Sequence, residues 1–319
     1  MNISKPFINR VTYFPDLIEN LRAGFAAGDI IVPMRHHHDF ENAYHQLPTT
    51  LLLMPAWHNK KHFGVKIISV TPENSKYNLP AIHGSYLLMN TKTGELKSII
   101  DATALTVKRT AAASALAADY LAKSSANSLL MIGTGALAPN LIEAHCSVRP
   151  ITMVYVWGRN LAKARKVCEQ FDHADFEIKA VESIDDVLPK VDIISCATLS
   201  QTPLIFGKNL CAGQHIDLVG SFKPDMREAD NAVMTRANIY VDVLESCLKE
   251  TGDLVIPLRE NIISEDDIKG DLFQLCGERV KGRKSDTEIT VFKSVGHALE
   301  DLVAAEYYLK LMENNEDEI

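Results

Sequence analysis

Two patterns of apolar and polar positions divide this chain. Up to about residue 101 the apolar positions fall mostly in β-type segments, and from Ser128 onward strand-like runs alternate with helical ones. Asp16 to Ala27 reads as an amphipathic helix ended at Gly28. Thr50 to Trp57, His62 to Val70, Ser85 to Asn90 and Leu96 to Asp101 read as strands, and Asn90-Thr91-Lys92-Thr93-Gly94 joins the last two as a hairpin. The first hundred residues therefore predict an antiparallel sheet with a helix. Thr106 to Lys123 is Ala-rich and helical, and its small residues suit close packing in a core or subunit contact.

Strands are predicted at 129–132, 152–157, 177–181, 191–196, 215–219 and 238–243, with helices over 136–147 and 160–171. Such alternation means an α/β fold with a doubly wound parallel sheet. Glu288 to Gly296 reads as a strand running into a glycine turn, followed by a last helix from His297 to Leu311. That helix is expected to return to the first domain and close a cleft, a usual place for a ligand.

Composition narrows the class. The chain has 319 residues, 46% of them hydrophobic and 23% charged, which suits a globular protein of two domains. Net charge is −8 with no basic block, so nucleic acid is not an expected partner. No apolar stretch reaches the length of a membrane span, and the N-terminus lacks an apolar signal core. The six cysteines have no C-x-x-C spacing and read as buried free thiols in a reducing, cytoplasmic compartment. The acidic tail from Glu313 to Glu318 is expected to fray into solvent.

The first specific chemistry lies between Ser128 and Asn160. An apolar strand, Leu129 to Ile132, leads into Gly133-Thr134-Gly135-Ala136-Leu137-Ala138, then a helix and a second strand ending at Gly158-Arg159-Asn160. This is G-x-G-x-x-A between strand and helix, a Rossmann dinucleotide site. Gly133 allows the tight turn, Gly135 lets a pyrophosphate approach the backbone, and Ala138 lets the helix pack close. The N–H groups at the helix start then hold the phosphates. No acid stands between Tyr155 and Ala164 to accept a ribose 2′-hydroxyl, whereas Arg159 can bind a 2′-phosphate. The expected cofactor is NADPH, with NADH the weaker ligand. Thr198, at the end of a Rossmann strand, reads as a small polar cofactor contact or as a plain strand-end hydroxyl.

Further motifs carry a resemblance over nearly the whole chain. They are Val32-Pro33-Met34-Arg35, Gly64-Val65-Lys66, Leu105 to Ala112, Ile132 to Gly135, Asp242, Gly252-Asp253, and Phe292 to Leu302. With Arg109-Thr110-Ala111-Ala112 followed about 20 residues later by Gly133-Thr134-Gly135, the chain resembles the ornithine cyclodeaminase/mu-crystallin family. The resemblance implies a substrate-binding and dimerisation domain from residues 1–112 with 298–319, around a Rossmann domain of residues 113–297. It also implies a homodimer, a carboxylate-binding set of Arg35, Lys66 and Arg109, and cofactor contacts at Ala136, Asn160, Ser221, Phe292, Ser294 and Gly296.

One departure selects among the family's activities. Its cyclodeaminases carry a proton-transferring Asp where this chain reads Gly220-Ser221-Phe222. Phenylalanine neither takes nor gives a proton. The segment from Gly220 to Glu228 resembles instead the branch that reduces cyclic imino acids. The expected reaction is hydride transfer from NADPH to C2 of Δ1-pyrroline-2-carboxylate, giving L-proline, or of the six-membered analogue, giving L-pipecolate. Lys66 is the expected proton donor to the imine, its pKa lowered by the two arginines. Cyclodeaminase, alanine dehydrogenase and non-catalytic, crystallin-like readings stand as alternatives. Ring size differs by one methylene and is not legible. His36-His37-His38 reads as solvated loop, since adjacent strand side chains point apart and the spacing of His38, Glu41 and His45 is wrong for a metal.

Overall fold

Two sheets hold every strand of the computed structural model, which describes residues 1–316. The first contains β1 (Asn2–Ile3), β2 (Ile30–Ile31), β3 (His36–Phe40), β4 (Thr49–His58), β5 (His62–Val70), β6 (Ile82–Asn90) and β7 (Leu96–Asp101). Its order is β1-β7-β6-β5-β4-β2, with β3 also on β4, and all pairings except β1–β7 are antiparallel. The second contains β8 (Ser128–Ile132), β9 (Met153–Trp157), β10 (Glu177–Val181), β11 (Ile193–Cys196), β12 (His215–Leu218), β13 (Asn238–Val241), β14 (Ile268–Asp271) and β15 (Thr290–Lys293). It runs β10-β9-β8-β11-β12-β15-β13-β14 and is parallel throughout. The chain is therefore α/β, a doubly wound Rossmann sheet plus an α+β unit.

The helices are α1 (Lys5–Val11), α2 (Phe14–Ala27), α3 (Ala102–Leu121), α4 (Leu137–Val148), α5 (Leu161–Cys168), α6 (Asn231–Arg236), α7 (Leu244–Glu250), α8 (Gly252–Arg259), α9 (Leu272–Cys276) and α10 (Ala298–Glu316). Two compact units result: Met1–Arg109 with the chain from His297 on, and Thr110–Gly296.

In the first unit, α2 buries Phe14, Leu17, Ile18, Leu21 and Phe25, the i, i+3, i+4 stripe its sequence predicts. Each such side chain contributes about 1.5–3 kcal/mol on leaving water. Gly28 ends α2 in the left-handed conformation, φ 62°. Gly24 lets α10 approach closely, since a Cβ there would lie 2.7 Å from Val303 Cγ2. In the second unit, β8 is buried along its whole length between β9 and β11, as a central parallel strand must be.

The structure departs from expectation in a few places. His36 to His38 belong to β3 rather than to a loop. All five β3 residues are exposed, so no in–out alternation marks them. α1 and β14 also lacked a signal, being short, and Gly270 interrupts β14. Only Cys196, Cys247 and Cys276 are buried; Cys146 and Cys168 are half-buried and Cys211 is exposed, all six being free. α10 continues through Glu313 to Glu316, and Asp317 and Glu318 lie outside the described residues.

Candidate active site

In the first unit, three elements bring a mixed charge cluster together. Lys66 on β5 is buried because inward positions of that strand alternate, with Gly64 and Ile68 on the same face. Arg109 comes from α3, and Glu300 and Asp301 from the first turn of α10. Lys66 Nζ donates to Asp301 Oδ1 at 3.0 Å and lies 2.8 Å from Oδ2. Arg109 Nε donates to the same Oδ1 at 3.0 Å, while its Nη1 pairs with Glu300 Oε2. Thr106 Oγ1 stands 3.4 Å from Lys66 Nζ.

Burial dominates the acidity of Lys66 and pushes its pKa down to about 8. Asp301 raises it, and Arg109 and Arg35 lower it. The two arginines therefore play the smaller part, where the sequence alone assigned them the whole shift. For Asp301, burial works upward, but Lys66 and Arg109 outweigh it and hold the carboxyl below its ordinary value. Arg35, just after β2, is half-buried and close enough for its charge to bear on Lys66. Arg35, Lys66 and Arg109 are thus brought into one electrostatic neighbourhood. Glu300 and Asp301 sit in a motif the sequence quoted, but no residue pattern shows that a helix start will face cations 190 or more residues away.

The second unit holds the dinucleotide loop. Gly133 has φ 123°, and a Cβ there would strike Ala197 O at 2.5 Å. Only glycine fits. A Cβ on Gly135 would meet nothing within 4 Å, which leaves the outer side of the loop open. Thr134 packs over Gly158 at the end of β9, where a Cβ would be 2.6 Å from Thr134 Cγ2. Ala136 caps α4 without any side-chain hydrogen bond. No side chain therefore competes with an anion at this helix start, although Ala138 N–H is already bonded to Gly135 O at 3.1 Å. These features fit a pyrophosphate.

Arg159 is exposed beyond β9. Asn160 caps α5, its Oδ1 accepting from Ala162 N–H at 2.9 Å and Lys163 N–H at 3.3 Å. Phe292 is fully buried in β15. Ser294 and Gly296 follow it in a turn pinned by Asp242, whose Oδ2 accepts from Val295 N–H at 2.8 Å and Gly296 N–H at 2.7 Å. Thr198 and Ser221 follow β11 and β12, and both are tied to Glu228. Phe222, in the loop after β12, is 46% exposed, so no core packing accounts for it.

Comparison with known proteins bears on the family and the fold. The model of the ornithine cyclodeaminase/mu-crystallin family matches residues 12–315. A Δ1-pyrroline-2-carboxylate reductase of Colwellia psychrerythraea is 36% identical over 306 residues, 95% of this chain and 96% of that protein. The Arabidopsis thaliana protein SAR DEFICIENT 4 is 40% identical over 267 residues, 81% of this chain and 82% of that one. Among solved structures, the Δ1-pyrroline-2-carboxylate reductase of Thermococcus litoralis, in complex with NADH and L-proline, superposes with a TM-score of 0.91 at 32% identity, over 99% of this chain and 98% of the other. From the loops of the parallel sheet to the buried cations of the first unit, this chain belongs to the ornithine cyclodeaminase/mu-crystallin family.

Proposed function

We propose that the chain reduces a cyclic imino acid with NADPH, converting Δ1-pyrroline-2-carboxylate to L-proline, and accepts the six-membered analogue to give L-pipecolate. At the coarser level it is a nicotinamide-dependent oxidoreductase. The observation that carries the finer reading is the buried Lys66–Asp301–Arg109 cluster, with Lys66 at a pKa of about 8.

A small anionic substrate needs an orienting clamp, because orientation of the reacting carbon supplies much of the rate. Arg109 offers a planar fork, and Arg35 adds a second guanidinium. Lys66 retains its proton at neutral pH and is acidic enough to yield it, the property wanted of a general acid. It donates that proton to the imine nitrogen, which makes C2 electrophilic. Bound NADPH supplies the hydride. The open loop at Gly133, Thr134, Gly135 and Ala136 holds the pyrophosphate, and Arg159 the 2′-phosphate. Thr198, Ser221, Ser294 and Gly296 lie on loops of the same unit and complete the cofactor set, with Asn160 at its edge, whereas Phe292, fully buried within β15, supports it from the core. Phe222 removes the proton-transfer group that ammonia release needs, which speaks against a cyclodeaminase.

The subunit is proposed to pair with a second copy. Leu53, Trp57, Phe63, Val65, Ile67 and Leu87 are all half-buried on one side of the first sheet, opposite the face that holds Met54, Ala56 and Leu88. A continuous apolar sheet face of this kind marks an association surface. Among the described residues no helix is long and apolar enough to cross a membrane. Six free thiols suit a reducing compartment, and we place the protein in the cytoplasm.

The test is loss of NADPH absorbance with pyrroline- and piperideine-2-carboxylates, run beside NADH, and ammonia assay with ornithine and catalytic NAD. Oxidation of NADPH by either imine supports the reading. Ammonia release without imine reduction sinks it.

A further inference from the structure

Glu228 sits in the loop after β12, wholly buried. Its two oxygens face two different loops. Oε1 accepts from the Thr198 N–H at 2.7 Å and from the Thr198 hydroxyl at 2.9 Å. Oε2 accepts from the Gly220 N–H at 2.8 Å and from the Ser221 N–H at 3.3 Å. β11 and β12 are neighbours in the sheet, so one carboxylate spans two adjacent strand ends. Those are the ends outside which a parallel α/β sheet binds its ligand.

The Glu228 backbone is itself held. Asp253 Oδ1 accepts from the Glu228 N–H at 2.8 Å and the Ala229 N–H at 3.1 Å, and Asp253 pairs with the buried Lys293 at 3.3 Å. Ser221 Oγ donates to Met226 O at 2.7 Å and shares a hydrogen bond of 2.9 Å with Thr251. The two loops also touch directly. A Cβ on Gly220 would fall 2.0 Å from Thr198 O and 2.6 Å from Glu228 Oε1.

We infer that Glu228 is a positioning residue for the dinucleotide: its carboxylate fixes the loops of Thr198 and Ser221 at the separation the cofactor needs, without touching the cofactor. This rests on the proposed cofactor set and adds to it a residue outside that set. An ionised carboxylate alone accepts from all four donors. A glutamine of the same shape turns an NH2 group toward one pair of N–H or O–H donors and releases that loop.

Protonation acts in the same direction. Burial raises the Glu228 pKa to about 7; Lys293 opposes this, Asp253 adds to it, and the Cys196 thiol and Thr198 N–H also face the group. Above about 7 the carboxylate is ionised and the clamp complete. As pH falls through that value an O–H replaces one acceptor, and dinucleotide affinity falls with it.

Binding of NADPH and of NADH to the full chain, followed by nicotinamide fluorescence between roughly pH 6 and 8, tests this. NADH carries no 2′-phosphate titrating near 6, so its pH dependence reports the protein. The wild type is expected to bind both more weakly toward pH 6. Glu228→Gln is expected to weaken both about tenfold at pH 8 and to flatten the pH dependence, with pyrrole-2-carboxylate binding at the first unit unchanged. Wild-type affinity in a folded Glu228→Gln chain overturns the inference, even where its melting temperature drops. So does flat NADH affinity in the wild type, a measurement that needs no variant. Absence of dinucleotide binding by the wild type at any pH overturns the proposed function instead.

Discussion

Lys66, Arg109 and Asp301 in the first unit, and Lys293, Asp253 and Glu228 in the second, are both buried mixtures of cations and carboxylates, yet their carboxylates face different partners. In the first, Asp301 and Glu300 meet side-chain cations. Those contacts lie at the ends of the long Lys66 and Arg109 side chains, and on the proposed function an incoming carboxylate would take a share of them. In the second, Glu228 and Asp253 chiefly meet backbone N–H groups, with the Thr198 hydroxyl on Glu228 and Lys293 beside Asp253. No ligand replaces such contacts without unfolding a loop. The same residue types thus build a place where charge is exchanged and a frame in which it is not. The surrounding donors decide which, since removing one partner from either strands a buried charge.

The largest expected effect comes from emptying the exchangeable cluster. Lys66→Met should lower kcat by about 10²–10⁴-fold while leaving NADPH affinity intact. Normal turnover would remove Lys66 from the proton-donor role and erase the contrast. Wild-type activity should fall as pH rises through about 8, because the protonated amine is the donor and it is lost there.

Asp301→Asn comes next. Asp301 raises the Lys66 pKa, so its loss should move the alkaline limb of the rate profile to lower pH, by about one unit for each ~1.4 kcal/mol of lost attraction. An unmoved limb would mean that Asp301 only fills space. In the second unit, Arg159→Ala should raise the KM for NADPH about tenfold with NADH unaffected, read from initial rates with each nucleotide. Equal loss for both would place Arg159 away from the 2′-phosphate. Smallest of all, Asn160→Ala should cost about 1 kcal/mol of stability through the lost α5 cap, seen in denaturant titration.

Legibility in the sequence followed the locality of the signal. The loop of Gly133 and Gly135 was readable because its requirements, a positive φ and a close backbone approach, are met within six residues. Alternation located β4 through β7, and parallel strands such as β8 announced themselves as unbroken apolar runs. β3 did not, since a strand exposed on every residue has no buried face to write into the sequence. Lys66 and Arg109 were visible through family motifs, but their acidic partners were not assigned. Asp301 lies 235 residues from Lys66, and only the return of α10 brings them together. Glu228 was equally silent. A single buried acid in a loop looks like any solvated one until its four donors are seen.

Gly133 and Gly220 have one further consequence, for attempts to retune the coenzyme. Both stand against backbone oxygen, where a methyl group has no route of escape. On the proposed nucleotide site, these two positions are therefore closed to redesign by side-chain exchange. Arg159, exposed beyond β9 and proposed for the rim of that site, carries no such restriction. Divergence between phosphorylated and unphosphorylated nicotinamides would then collect at that rim, while the interlocked loops beneath it drift little.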